Sequence, residues 1–157
     1  MDVHSKKQRA INMRAIRSHD TTPENIISNV LFSLEINYTT KNNLIYGKPD
    51  FLCPDYRAAI FVHGCFWHRH LCYMFKWPKT RPSFWKEKLT RNAIRDNHVI
   101  NNLSKEGYKI MIIWECSLKG RMKISTPIIK ACIEEWLCAG NCNCEISSLG
   151  INELLKK

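Results

Sequence analysis

Asp50-Phe51-Leu52-Cys53-Pro54-Asp55-Tyr56-Arg57-Ala58-Ala59-Ile60-Phe61-Val62-His63-Gly64 is the stretch that decides the fold. Asp50 to Cys53 reads as a short strand ended by Pro54-Asp55. Ala58 to Val62 is apolar at every position, as in a strand covered on both faces, and it runs into Gly64. A second run of the same kind, Tyr108 to Trp114, lies far along the chain and ends in Glu115-Cys116. Two such strands need helices on both sides, and the flanking sequence provides them. Asp20-Thr21-Thr22-Pro23-Glu24 is a helix start with Thr caps, Pro in the first turn and Glu three residues after Thr21. Ile27, Val30, Leu31 and Leu34 follow at helical spacing. A long helix capped by Ser83 and reaching about Leu103 carries Leu89, Ala93, Ile100 and Leu103 on one stripe, with Gly107 just past its end. Ser125-Thr126-Pro127 opens a last helix over 126–138. Residues 36–40 and 43–46 read as short strands around Lys41-Asn42, and 65–82 as an ordered loop. The fold class expected is α/β, a mixed sheet flanked by helices.

The chain has 157 residues, of which 45% are hydrophobic, with five Trp. That suits one domain over 1–157 and excludes whole-chain disorder. A basic arm covers 1–19, and 140–157 is a tail without readable pattern. No stretch is apolar for the ~18 residues that span a bilayer. The first residues, Met1-Asp2-Val3-His4-Ser5-Lys6, lack the apolar core of an export signal. The expectation is a soluble cytoplasmic protein with no membrane partner.

Net charge is +10. Lys6, Lys7, Arg9, Arg14 and Arg17 cluster at the start, and Lys76, Lys79, Arg81, Lys86, Lys88, Arg91 and Arg95 cluster over 76–95. Trp77, Phe84 and Trp85 are interleaved with the second cluster. Cations mixed with flat rings suit phosphate contact plus base stacking, so nucleic acid is favoured over a merely solvated basic face.

Three carboxylates stand out. Asp50 enters a strand from the Gly47-Lys48-Pro49 break; it can present a carboxylate to a metal, although spacing alone favours a turn Asp. Asp96 lies on the apolar stripe of the long helix, where a charge needs a partner unless a tilt leaves it wet. Glu24 is explained by the cap alone.

The segment His63-Gly64-Cys65-Phe66-Trp67-His68-Arg69-His70-Leu71-Cys72 carries the most chemistry. Thiolates and imidazoles are the preferred zinc ligands, and a structural site needs four. Cys65, His70 and Cys72 supply three, and Cys116 can supply the fourth if the two buried strands end side by side. Cys132, Cys138, Cys142 and Cys144 form a rival set, and plain buried thiols are a further alternative. His63 and His68 remain, either as general bases near neutral pH or as packed side chains.

These residues resemble the very short patch repair endonucleases, bacterial enzymes that nick DNA at mismatches. The likeness rests on Asn12-Met13-Arg14-Ala15-Ile16, Gly47-Lys48-Pro49-Asp50-Phe51, Phe61 to His68, Thr80-Arg81 with Phe84-Trp85, and Trp114-Glu115-Cys116. The resemblance implies a restriction-endonuclease-like α/β/α core. It implies nicking 5′ of the T in a T:G mismatch left by deamination of 5-methylcytosine. Such an enzyme works beside a cytosine-5 DNA methyltransferase and MutL-like mismatch-repair proteins, and a monomer is expected. Asp50 falls on the catalytic aspartate that binds Mg²⁺, His68 on the general base, and Glu24 and Asp96 on acids that support the hydrated metal or the base; His63 is a further catalytic candidate, read from the residues alone. Cys65, His70, Cys72 and Cys116 fall on ligands of a structural Zn²⁺. Phe66, Trp67 and Trp85 fall on rings that wedge into the base stack, and the helix carrying Met13 and Arg14 on one that follows the minor groove.

Two positions depart from the pattern. Val62 stands where the family has Thr, whose backbone carbonyl ligates Mg²⁺; a carbonyl survives the change. Arg69 stands where a further His can occur. Restriction-like nucleases also often carry a second acid and a Lys on the strand that here reads Phe61-Val62-His63, with neither. Two other readings use the same charges and cysteines: a non-catalytic zinc-containing DNA-binding protein, and a restriction endonuclease cutting both strands of matched DNA.

Overall fold

The computed structural model describes residues 5–15, 21–40 and 42–154. Its centre is a five-stranded mixed sheet in the order β1-β2-β3-β4-β5. The strands are β1 (Phe51–Cys53), β2 (Ala58–His63), β3 (Lys109–Trp114), β4 (Cys144–Ser147) and β5 (Gly150–Glu153). β1 runs antiparallel to β2, β2 and β3 are parallel, β3 and β4 are parallel, and β5 closes antiparallel on β4. The helices are α1 (Lys6–Ala15), α2 (Thr22–Ser33), α3 (Pro82–Lys105), the short α4 (Glu115–Leu118) and α5 (Thr126–Ala139).

Continuous apolar strands make sense because the sheet is covered twice. Ile60, Met111, Ile113 and Ile146 pack with Ile27, Val30 and Leu31 of α2 and with Ile129, Ile133 and Trp136 of α5. The alternate residues Ala59, Phe61, Ile110 and Ile112 face the other way, onto Val99 and Leu103 of α3. The period of two along a strand thus feeds two apolar layers.

Three expectations need correction. α3 begins at Pro82 with Arg81 as its cap, two residues before the expected cap at Ser83, because Pro is tolerated in a first turn. Residues 36–40 make only one bridge, Thr39 to Leu52, and 43–46 are turns. Asn42 decides this, since its amide donates to the carbonyls of Thr39 and Pro49 at 3.0 and 3.1 Å and holds a loop shut. The unread tail carries β4 and β5, which complete the sheet. The amino-terminal arm is helical over Lys6–Ala15. The side chains of Met13 and Arg14 lie outside the described residues.

Candidate active site and metal centre

Parallel pairing of β2 with β3 sets the site. His63 is in register with Trp114, so the segments that follow each strand leave the sheet at the same end. Cys65, His70 and Cys72 come from the first segment and Cys116 from α4 in the second. Their ligand atoms all lie within 4.8 Å of one another. Cys65 Sγ is 3.5 Å from His70 Nδ1, and Cys116 Sγ is 3.7 Å from the same nitrogen. With Zn–S of about 2.3 Å and Zn–N of about 2.05 Å, a tetrahedral ion separates S from N by about 3.6 Å. Both separations match that spacing, and the four ligand atoms lie close enough together to hold such an ion. Burial and the neighbouring thiols push the Cys65 thiol well above its ordinary range, the condition a bound cation reverses. Two braces fix the frame: Glu115 accepts from the Cys65 amide at 3.1 Å, and Trp114 lies flat on His70 with centroids 4.2 Å apart.

The rival cysteine set does not converge. Among the described residues no four-ligand group includes Cys132, Cys138, Cys142 or Cys144. Cys132 is half-buried and Cys138 exposed. Six residues apart on one helix, they point about 120° from each other.

The second half of the site is a cleft of about 770 Å³, lined by Glu24, Asp50, Val62, His63, His68 and Asp96 among others. Each comes from a different place. Glu24 is in the first turn of α2, where its amide reaches Thr21 Oγ1 at 3.4 Å. Asp50 precedes β1, and its Oδ2 accepts from the Val62 amide at 2.7 Å. Gly47, at φ +80°, is needed here: a side-chain carbon would overlap Val99, so only glycine lets the 43–48 loop close down on α3. Asp96 reaches in from α3 and meets His68 Nδ1 at 2.6 Å. Its place on the apolar stripe is thus explained by a partner, not by a wet edge.

The His68–Asp96 contact fixes a tautomer. With Nδ1–H donating to the carboxylate, Nε2 keeps its lone pair for a proton from water. His63, His68 and Asp96 also lie close enough to be considered as metal ligands. The 2.6 Å spacing argues for a direct hydrogen bond, because two ligands of one ion sit about 3 Å or more apart at metal–ligand distances near 2.1 Å. His63 lies parallel to His68, with centroids 3.6 Å apart and planes 1° apart. Burial first, then His68 and Arg95, lower the His63 pKa well below its usual range, so a neutral ring backs His68. Its Nδ1 has no hydrogen-bond partner among the described residues.

Asp50 is the strained member. Burial raises its pKa from 3.8 to about 6, and Glu24 adds to the rise, against the Val62 amide and His68. Two carboxylates facing one cleft, one of them reluctant to ionise, form a hard-oxygen donor set that suits a cation such as Mg²⁺. The sign of the linkage gives a test. Folded Asp50 holds a proton between pH 3.8 and about 6 that the unfolded chain has released. Its charge therefore costs stability increasingly as pH rises through that window, by at most about 3 kcal/mol at ~1.4 kcal/mol per unit. In Mg²⁺-free buffer, Asp50→Asn is expected to match wild type near pH 4 and exceed it at pH 8. Urea denaturation of both proteins measures this, and a constant difference across the range would contradict it.

Beside the cleft is a ring cluster. Phe66 meets Trp67 at 5.1 Å and Trp85 at 5.4 Å, and Trp67 and Trp85 are 6.0 Å apart. Lys88 Nζ lies 5.6 Å from Trp67 and 5.5 Å from Trp85. Asn92 ties α3 to the Trp67 carbonyl at 3.0 Å. The sequence reading singled out neither Asn92 nor the bracing acids Glu115 and Glu145; Glu145 accepts from Trp114 Nε1 at 2.8 Å. Their signal is weak, since each is a lone polar residue at a strand or helix position.

The profile of the DNA mismatch endonuclease Vsr family matches residues 1–74. DNA mismatch endonuclease Vsr of Escherichia coli K12 is 40% identical over 153 residues, covering 98% of each chain. The chain belongs to the DNA mismatch endonuclease Vsr family. Membership makes it an endonuclease. Type II nicking enzyme V.NmeAIP of Neisseria meningitidis is 36% identical over 76% of this chain and 86% of its own. The catalytic domain of homing endonuclease I-Bth0305I shares the fold, with a TM-score of 0.50 at 20% identity over 75% of this chain and 96% of that one. The mixed sheet with helices on both faces is thus a nuclease fold. No helix among the described residues is long and apolar enough to cross a membrane.

Proposed function

We propose that this protein nicks one strand of duplex DNA on the 5′ side of the T in a T:G mismatch, with Mg²⁺ as cofactor and Zn²⁺ as a structural ion. The reading treats 1–157 as one cytoplasmic repair domain acting after deamination of 5-methylcytosine. The observation that carries it is that Asp50 and Glu24 share one cleft with the His68–Asp96 pair. Asp50 and the Val62 carbonyl would hold Mg²⁺, which would polarise the phosphate and stabilise the leaving oxygen. His68 Nε2 takes the proton of the attacking water, and Asp96 stabilises the imidazolium through Nδ1. His63 keeps the His68 ring in plane. Cys65, His70, Cys72 and Cys116 hold the 64–72 loop, and with it His68, in place.

Recognition is assigned to Phe66, Trp67 and Trp85. Opening a base step for a wedged ring costs roughly a few kcal/mol, and a wobble pair yields more readily than a matched one. The basic arm with Met13 and Arg14 adds salt-dependent affinity for the backbone. Names of relatives that are mismatch endonucleases or nicking enzymes support single-strand cutting over the double-strand alternative.

The experiment is incubation of T:G and T:A duplexes with Mg²⁺, each strand labelled separately. The expected product is one nick, in the T strand of the T:G duplex. Linear double-strand breaks in matched DNA would favour a restriction endonuclease, and binding without any cut would favour a non-catalytic DNA-binding protein. In the same assay Trp67→Ala is expected to lower the preference for T:G over T:A by about tenfold, the effect of losing roughly 1.4 kcal/mol of stacking. Unchanged discrimination would remove the wedge role.

A further inference from the structure

Five cysteines take no part in the candidate zinc group or the cleft, and two of them meet. Cys142 sits at a bend before β4, Cys144 is the first residue of β4, and their sulfurs are 3.2 Å apart. The residue between them is pinned from three sides. Asn143 Oδ1 accepts from the Ile110 amide at 2.9 Å, its Nδ2 donates to Ser104 Oγ at 2.7 Å, and its carbonyl accepts from the Leu154 amide at 2.8 Å. The carbonyl of Cys142 is held as well, by Trp136 Nε1 at 2.8 Å. The backbone that carries the two thiols is therefore fixed, and both thiols turn to the same side of it.

A cation interacts electrostatically with the pair. Lys109 Nζ donates to the carbonyls of Trp136, Leu137 and Gly140 at 2.8, 2.6 and 3.0 Å, which caps α5. Its charge is felt by Cys138, Cys142 and Cys144. The two thiols differ in access: Cys142 is half-buried, while Cys144 is buried and raised to about 12 by burial and by its neighbour.

We infer that Cys142 and Cys144 form a dithiol redox site that closes to a disulfide in exchange with small-molecule disulfides of the glutathione class. Cys142 loses its proton to solvent, and its sulfur attacks one sulfur of the small disulfide. A mixed disulfide forms, and one small thiolate leaves and takes up a proton. Cys144 then loses its proton, attacks the Cys142 sulfur and displaces the second small thiol. Two protein thiols are oxidised by two electrons, and one small disulfide is reduced to two thiols. Cys142 is the attacking residue and Cys144 the resolving one. Cys138, though exposed on the same helix end, has no fixed thiol partner among the described residues and can only be capped.

The test uses the full-length, zinc-loaded protein in buffers of reduced and oxidised glutathione. Samples are quenched in acid, alkylated, cut after Glu, and fragmented to locate each bond in the peptide Trp136–Glu145. The expected product is a Cys142–Cys144 disulfide, lighter by two hydrogens, with native zinc content. In Cys144→Ser the mixed disulfide at Cys142 is expected to rise at least about tenfold over wild type, because nothing resolves it. In Cys142→Ser, Cys144 is expected to stay reduced. Wild type that accumulates a stable glutathione adduct at Cys142, links Cys138 instead, or oxidises only after zinc is lost would overturn the assignment.

Discussion

Asp50→Ala is expected to bind T:G DNA within a few-fold of wild type and to nick it at least about 10³-fold more slowly. The reason is where Asp50 stands. It enters the cleft from the break before β1, its Oδ2 is held by the Val62 amide, and burial with Glu24 opposite leaves its charge poorly compensated. A carboxylate kept in that condition is matched to a cation, and without it the phosphate loses most of the charge stabilisation that dominates such reactions. Binding rests on basic residues and rings elsewhere, so it survives. Single-turnover nicking with a parallel gel-shift titration separates the two. Wild-type rates from Asp50→Ala would refute its role as a ligand of the catalytic cation.

Cys116→Ser is expected to lower bound zinc from about one ion per chain to near zero and to cost about 10 °C in melting temperature. Cys116 is the one member of the four that does not come from the 64–72 loop, so its loss detaches that loop from β3. A closed structural site tolerates no missing ligand well, and zinc binding in such sites is worth on the order of 10 kcal/mol. Losing even a third of that shifts the midpoint of a chain this size by roughly 10 °C. Elemental analysis and calorimetry measure both quantities. A Cys116→Ser protein with full zinc and an unchanged melting point would refute the ligand set.

How much of this was legible in the sequence differs by element. β2 and β3 were legible because both faces are covered and every residue must be apolar. α3 was legible from Leu89 to Leu103, since one stripe must reach the sheet. Ile36 and Tyr38 misled: they alternate like a strand, yet they pack against the core from a loop that Asn42 closes. β4 and β5 were illegible because they are four residues each, and β5 is an edge with mostly exposed side chains. The cysteine cluster could be read from ligand chemistry plus the guess that two buried strands end together. The cleft could not be read that way. Asp50, His68 and Asp96 come from three separate elements, and nothing in their spacing announces a 2.6 Å contact between the last two. Only the resemblance joined them in advance.

The central claim is that one cleft holds a cation-binding carboxylate and an imidazole that readies water. The measurement that tests it most directly is single-turnover nicking of a T:G duplex by His68→Ala, at saturating protein and Mg²⁺, with and without added imidazole. The prediction is unchanged DNA affinity, a rate lower by about 10² to 10⁴, the usual worth of a general base, and partial recovery with imidazole. A His68→Ala protein that nicks at the wild-type rate would contradict it.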